Sequence, residues 1–409
     1  MKPACYWSIL CFLLWSDAVV AFESARTVPA GRGGLSFRHV FSEAREKTDR
    51  HGQVLPLAEP MHIKLTFDRV LRSEKDQLQK KLMQAFINAE DIPLEDDLGT
   101  FTADIRARVH VFVPVFVSGI TDRLTLIAAM PFFDVSTSAR VGFRPNNATA
   151  SEFFNLMSGQ EYNQGPQGFV AREKINNAEA EFYRVTRENG YDDPGNWRDQ
   201  GPGDLMLLAR YKVLEHRHLI VTPGLGFNLA TGRVDDPDNL GDIPFGDGQN
   251  DVIFSLTVDE PLTGGFFFNQ YARYTWQTKG YRKVRLRTMD EQVEVEKATV
   301  AIKPGDKLEG GLSLQWEPGS GVQAGLGAVW QRKWADNYDV PVEVAMELER
   351  ETDQESLLGE MKLGYSTLPA VMRGEFPVPF SFGLEYRTPY TSRNMVLMDQ
   401  MQVDFSMYF

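Results

Sequence analysis

The chain has 409 residues and a formal net charge of −13. That acidity excludes a nucleic-acid partner bound by phosphate neutralisation. Its 2 cysteines, Cys5 and Cys11, both fall in the first segment described below, so the rest of the chain carries no disulfide, thiolate metal site or cysteine nucleophile.

Lys2, an apolar run from Tyr6 to Trp15 and the small-residue pattern Val19-Val20-Ala21 read as a signal peptide cleaved after Ala21. The run is too short for the roughly 20 residues that a spanning helix needs. Leu10 before Cys11 does not suit a lipoprotein. Residues 22–409 then form one domain, since no Pro/Gly/Ser-rich linker divides them.

No later segment is apolar enough for a spanning helix, but strands that alternate apolar and polar residues can cross a membrane once they close into a barrel. Val109, Val111, Val113, Val115 and Val117 alternate with Arg106, Arg108 and His110, and are assigned to lipid and lumen respectively. The next lipid faces are Leu124 to Phe132, Leu205 to Val213 and Leu219 to Leu229, each read at every second residue. Val252 to Val258 and Phe266 to Trp276 follow, then Leu308 to Trp316 and Val322 to Trp330. Trp276, Trp316 and Trp330 sit at strand ends, where an aromatic girdle belongs.

The last strand puts Met401, Val403, Phe405, Met407 and Phe409 on one face. A terminal Phe with apolar residues at every second position resembles the signal that the barrel assembly machinery recognises, carried here by Phe405, Met407 and Phe409. The fold class is all-β: a transmembrane antiparallel barrel, embedded in outer-membrane lipid, with strands near 33–45, 103–117, 120–133, 203–213, 218–230, 250–259, 264–277, 307–317, 321–334, 355–366, 378–390 and 396–409. That makes about twelve strands, within a range of ten to fourteen.

Short turns near 118–122, 214–218, 260–264 and 318–320 alternate with long outer segments, the longest being 46–102 and 134–201. Two charged alternating stretches, 281–302 and 340–349, read as hairpin arms above the membrane, or as two further spanning strands. Leu78, Leu82, Met83, Phe86 and Ile87 form the apolar stripe of a short amphipathic helix over 73–91, capped by Ser73 and stopped by Pro93. About eleven residues between the cleavage site and the first strand leave no room for an N-terminal plug of the sort that long-chain fatty-acid transporters use. Any constriction is therefore expected from the loops.

Lumen candidates for solute contact are Arg106, Arg108, His110, Arg210, Lys212, Asn228, Asn269, Tyr271, Arg273 and Glu385, with Gln323, Phe133 and Phe267 beside them. His216 and His218 share a metal-compatible spacing but lie in a short turn, where solvation is the simpler reading. Asp235, Asp236, Asp238, Asp242, Asp247 and Asp251 crowd one outer loop that could hold calcium, although the spacing fits no EF-hand and a solvated loop is the simpler reading. Gly224-Leu225-Gly226 lacks the third glycine and following helix of a nucleotide fingerprint. His110 has no serine and acid partner that spacing assigns. Neither an enzyme nor a cofactor is expected.

Gly119-Ile120-Thr121-Asp122-Arg123-Leu124 followed by Met130-Pro131-Phe132 resembles the meta-pathway phenol-degradation family of outer-membrane proteins. Gly203-Asp204-Leu205 to Arg210-Tyr211, Ala230-Thr231-Gly232, Phe245 to Asp251 and the ending Tyr408-Phe409 are similar to its later elements. The resemblance implies a barrel that admits small hydrophobic or aromatic compounds, without binding residues to carry over. The helical insertion and the 134–201 loop depart from it. The function expected is a channel for passive diffusion of small solutes; the alternative is a surface structural or interaction barrel without a conducting pore.

Overall fold

The computed structural model describes residues 24–59, 63–68, 71, 77–145, 187, 190–192, 196–286 and 296–409. Segment 1–21 and the cap at Ser73 lie outside them. Within them, 12 antiparallel strands close into a barrel.

The strands are β1 (Gly33–Thr48), β2 (Asp97–Gly119), β3 (Leu124–Ala129 and Phe132–Pro145), β4 (Trp197–Pro202 and Leu205–Tyr211), β5 (Leu219–Leu229) and β6 (Asp251–Pro261). They continue as β7 (Phe266–Gln277), β8 (Lys307–Trp316), β9 (Val322–Lys333), β10 (Gln354–Ser366), β11 (Phe380–Arg393) and β12 (Val396–Tyr408). Each pairs with the next, and β1 closes on β12 from Gly34 opposite Tyr408 to Lys47 opposite Val396. Closure pairs every edge, which lipid demands because it offers no hydrogen bonds.

Facing follows the pleat. Leu326, Leu312, Phe254, Phe227, Leu225 and Met361 point outward and are exposed in the isolated chain, an apolar surface that only lipid would cover. Trp276 and Trp330 mark its outer rim and Trp316 its periplasmic rim. The last strand places Phe405, Met407 and Phe409 outward, and the terminal Phe409 exchanges backbone hydrogen bonds with Gly33.

Strand β2 reverses the facing read from its sequence. Val109, Val111, Val113 and Val115 are buried inside the barrel, whereas Arg106, Arg108 and His110 share the outward face with the exposed Phe112 and Phe116. Both faces are apolar past residue 110, so period two cannot tell them apart; the neighbouring strands decide, because Val40 of β1 lies opposite Val111 and is also inward.

The two outer stretches part company. Gly280–Leu286 and Glu296–Lys303 form a hairpin above the barrel, joined by Asn337–Tyr338. The second stretch is a helix, not a hairpin arm. Helix α2 (Val342–Leu348) follows Pro341 and packs Val344 and Leu348 against Val300, Ile302 and Tyr338. Val342, Val344, Met346 and Leu348 read as strand alternation, yet Val344 and Leu348 are also four apart and so share a helical face. Hence the count stays at twelve. Helix α1 (Gln77–Ala89) lies within 49–96 and buries Met83 and Ile87 with Phe67 and Leu71. A third short helix, α3 (Leu368–Met372), belongs to the β10–β11 turn.

Candidate functional site

Two chemically different walls meet inside the barrel. Along β1 to β6 the inward residues Val40, Val109, Val113, Phe133, Val135 and Ile253 make one apolar cluster. Along β7 to β12 and on into β1, the inward residues form an ionic ladder. Arg387 lies 2.8 Å from Glu385 and 3.3 Å from Glu360, Arg273 lies 3.5 Å from Glu309, and Arg38 lies 3.1 Å from Asp404. Gln331 donates to Glu309 at 3.0 Å. Each such ion loses several kcal/mol of hydration, so a ladder of paired charges is the arrangement that burial permits. Glu385, Glu360 and Glu309 are all buried, so at mid-height the interior is packed by its own side chains.

The periplasmic mouth is occupied by residues 24–30. The Ser24 hydroxyl donates to Asp259 Oδ2 at 2.8 Å and the Ala25 amide to the same oxygen at 2.9 Å. Asn269 donates to Asp259 Oδ1 at 2.6 Å, Thr222 donates to the Ala25 carbonyl, and Arg210 to that of Ser24. Ala25 is fully buried. Further along, Val28 donates to Thr125, and Gly119 lies so close to the Val28 and Pro29 carbonyls that a Cβ there would collide with them. This corrects the expectation that any constriction comes from the loops alone: residues 24–30 are too few for a folded plug but need only cross the mouth, since the ladder already fills the middle.

At the outer end, loop 230–250 folds inward. Arg233 grips Asp242 through two bonds of 2.7 and 2.6 Å and lies over the Phe245 ring at 4.6 Å. Burial alone would lower the Arg233 pKa, but the Asp242 carboxylate, helped by Asp199, leaves it above its ordinary value. Ile243 is fully buried and Phe245 stacks on Phe133 with centroids 5.4 Å apart. Thr137 of β3 donates to the Gly241 carbonyl at 2.7 Å. On the far side, Asp238 receives Arg285 at 2.8 Å and Lys297 at 2.5 Å, tying the loop to the outer hairpin. Burial raises the Asp238 pKa, but these two cations outweigh it and hold the carboxyl below its usual range.

Beneath Phe245 lies a cavity of about 80 Å³ walled by Pro131, Phe133, Val234 and Pro244 on its apolar side and by Asp204, Asn228, Asp247, Gln277, Lys307 and Lys333 on its polar side. Gln277 is almost fully buried; its Nε2 donates to Asp247 at 3.1 Å and Asp251 at 3.2 Å, which leaves the Oε1 acceptor without a partner. Lys333 is paired with Asp336. The cavity abuts an interruption in the wall, where Met130-Pro131 breaks β3 and Gly203-Asp204 breaks β4.

The sequence-derived candidates divide accordingly. Arg273, Tyr271 and Glu385 stand in or beside the ladder, Asn269 and Arg210 hold the N-terminal segment, and Asn228 lines the cavity. Gln323 bonds Glu317 near the periplasmic turn, as Lys212 pairs with Glu215. Arg106, Arg108 and His110 are corrected to the outer surface, where Arg108 bonds Glu43 and His110 stacks edge-on to Phe41. His216 and His218 have ring centroids 5.8 Å apart, and among the described residues no cluster of metal-ligating side chains forms. The acidic loop is not simply solvated: Asp242 and Asp251 are buried and, with Asp238, bound by protein donors. Gln277, Lys333 and Phe245 were missed; in sequence the first two are ordinary strand ends and Phe245 an ordinary loop aromatic.

No family model matches the chain, and no curated protein does. Among solved structures, an outer membrane channel from Pseudomonas putida F1 is similar with a TM-score of 0.53 at 10% identity, over 95% of this chain and 100% of that one. The P. putida toluene transporter TodX follows at 0.35 and 9% identity, over 93% and 91%. The Ralstonia pickettii toluene transporter TbuX stands at 0.34 and 10%, over 93% and 90%. The first likeness supports the fold, that of an outer-membrane β-barrel.

Proposed function

We propose that this protein is an outer-membrane channel that passes small solutes with an apolar, often aromatic, body and a hydrogen-bond donor, in a gated rather than permanently open form. The observation that carries the reading is the split interior: an apolar wall faces an ionic ladder, and the cavity above them joins Phe133 and Phe245 to the unpartnered Gln277 acceptor. A hydroxyl or ammonium group would satisfy Gln277 while the body of the solute lies on the aromatic side. The neighbour described as an outer membrane channel suits a transport role.

Size argues for a gate. A dry cavity that accepts benzene in another protein measures roughly 150 Å³, about twice the present one. An aromatic ring therefore requires Phe245 to withdraw. In a planar bilayer, Phe245→Ala is expected to raise conductance and to make it sensitive to block by phenol but not by benzene, which lacks the donor. Silence of the native chain, of Phe245→Ala and of Phe245→Ala lacking residues 22–32 would reject the channel.

A second reading, a surface structural barrel without a conducting pore, is favoured by the packed ladder at mid-height. Silence that persists after Phe245→Ala and removal of residues 22–32 would establish it.

A further inference from the structure

On the outward face of β1 and β2, one rung beyond the apolar band, three guanidinium groups converge on one carboxylate. Glu43 lies 2.6 Å from Arg45, 2.9 Å from Arg108 and 3.6 Å from Arg106. A single carboxylate cannot saturate three guanidiniums, each with five N–H donors in a planar fork. The Arg45 and Arg108 side chains remain 55% and 52% exposed, so most of those donors face outward. Around the wall the pattern extends to Arg198, bidentate on Asp134. Asp399 of β12, opposite Glu43 and bonded by Thr388, bounds the patch on its other side. This concentration of positive charge stands out on a chain of net charge −13.

Directly below on the same strands lies an aromatic surface that only hydrocarbon would cover. Phe37 and Phe112 stack with centroids 5.9 Å apart, and Phe116 is exposed beside them. Arginines immediately above an apolar belt, on the side reached by the long loops, occupy the height of the lipid headgroups in the outer leaflet. Guanidinium forks match phosphate bidentately.

We propose that Arg45, Arg106 and Arg108 form a binding site for the headgroup phosphates of a phosphorylated lipid in the outer leaflet, whose acyl chains lie on the phenyl rings below. Glu43 occupies the three guanidinium groups in the lipid-free protein and is displaced by the phosphate. The site is separate from the barrel interior and does not depend on transport.

The test is native mass spectrometry of the full-length protein in neutral detergent, titrated with bis-phosphorylated lipid A, with the same lipid stripped of both phosphates, or with inorganic phosphate as competitor. Native protein is expected to retain the phosphorylated lipid about tenfold more tightly than the stripped one, a difference of about 1.4 kcal/mol. Arg45→Gln/Arg106→Gln/Arg108→Gln should abolish that preference. Glu43→Gln should strengthen it, a gain that misfolding cannot mimic. Equal retention of both lipids, or a preference unchanged by all four substitutions, overturns the proposal. Displacement of the lipid by millimolar inorganic phosphate would identify a free-anion site and overturn the assignment to lipid.

Discussion

Asp259 on β6 receives the hydroxyl of Ser24 and the amide of Ala25 on one carboxylate oxygen, 235 residues away in sequence. This buried acceptor fastens residues 24 and 25 inside the periplasmic mouth. Hydrogen bonds to a charged group contribute about 1.5–3 kcal/mol each, and Asp259→Ala removes two of them together with the Asn269 bond. The Arg26 side chain is already exposed, so the variant is expected to free the backbone around it rather than the side chain, and trypsin should cut after Arg26 at least about tenfold faster than in native protein, with the heat-dependent gel mobility of the folded barrel kept. Unchanged cutting at Arg26 would show that the contact with Asp259 is not what holds the segment.

Arg233 and Asp242 pin the inward loop. Asp242 is buried while the Arg233 side chain is 34% exposed, so the roughly 3–5 kcal/mol cost of breaking a buried pair is reduced by solvent screening, to about 2 kcal/mol. Asp242→Ala should release Phe245 from Phe133 and raise amide hydrogen exchange across 240–246 by about thirtyfold. Exchange confined to native rates there would mean that apolar burial alone seats the loop.

The outer hairpin should loosen in acid. Asp238 has a folded pKa below its unfolded value because Lys297 and Arg285 outweigh its burial. A group of this kind contributes stability that is present above its unfolded pKa, near 4, and is lost as pH falls through the folded value. Hydrogen exchange in 280–286 and 296–303 should therefore be slow and flat from pH 7 to pH 5 after correction for intrinsic rates, then rise below about pH 4. Asp238→Asn should show the faster exchange at every pH. A rise already complete at pH 5 would point to another group.

Much of this architecture is legible in the sequence because lipid enforces a strict two-residue period. Leu225, Phe227, Phe254 and Leu256 lie outward as read, and Asn269, Arg273 and Glu385 inward. What escapes notice lacks that contrast. Val109 and Phe112 are both apolar on opposite faces of β2, and only their neighbours across the sheet decide which is inside. Val342 to Leu348 satisfies strand and helix periods alike. The partnership of Ser24 with Asp259 and the stacking of Phe245 on Phe133 are long-range, so no local pattern announces either.

The wall break beside the cavity depends on one glycine. A Cβ at Gly203 would meet the Phe133 ring at 2.5 Å, the Phe245 carbonyl at 2.8 Å and Pro131 at 2.9 Å. These are backbone and packed ring atoms, so relief requires loop 230–250 to move. Gly203→Val is therefore expected to displace Phe245 from the cavity without touching the ionic ladder, and to cost about 1–3 kcal/mol as an overpacked site. In the bilayer it should behave like Phe245→Ala: both reach the same open outer vestibule, one by pushing the lid away and one by shortening it. If Phe245→Ala conducts and Gly203→Val does not, the ring itself rather than the position of the loop sets the constriction, and the gate is a single side chain.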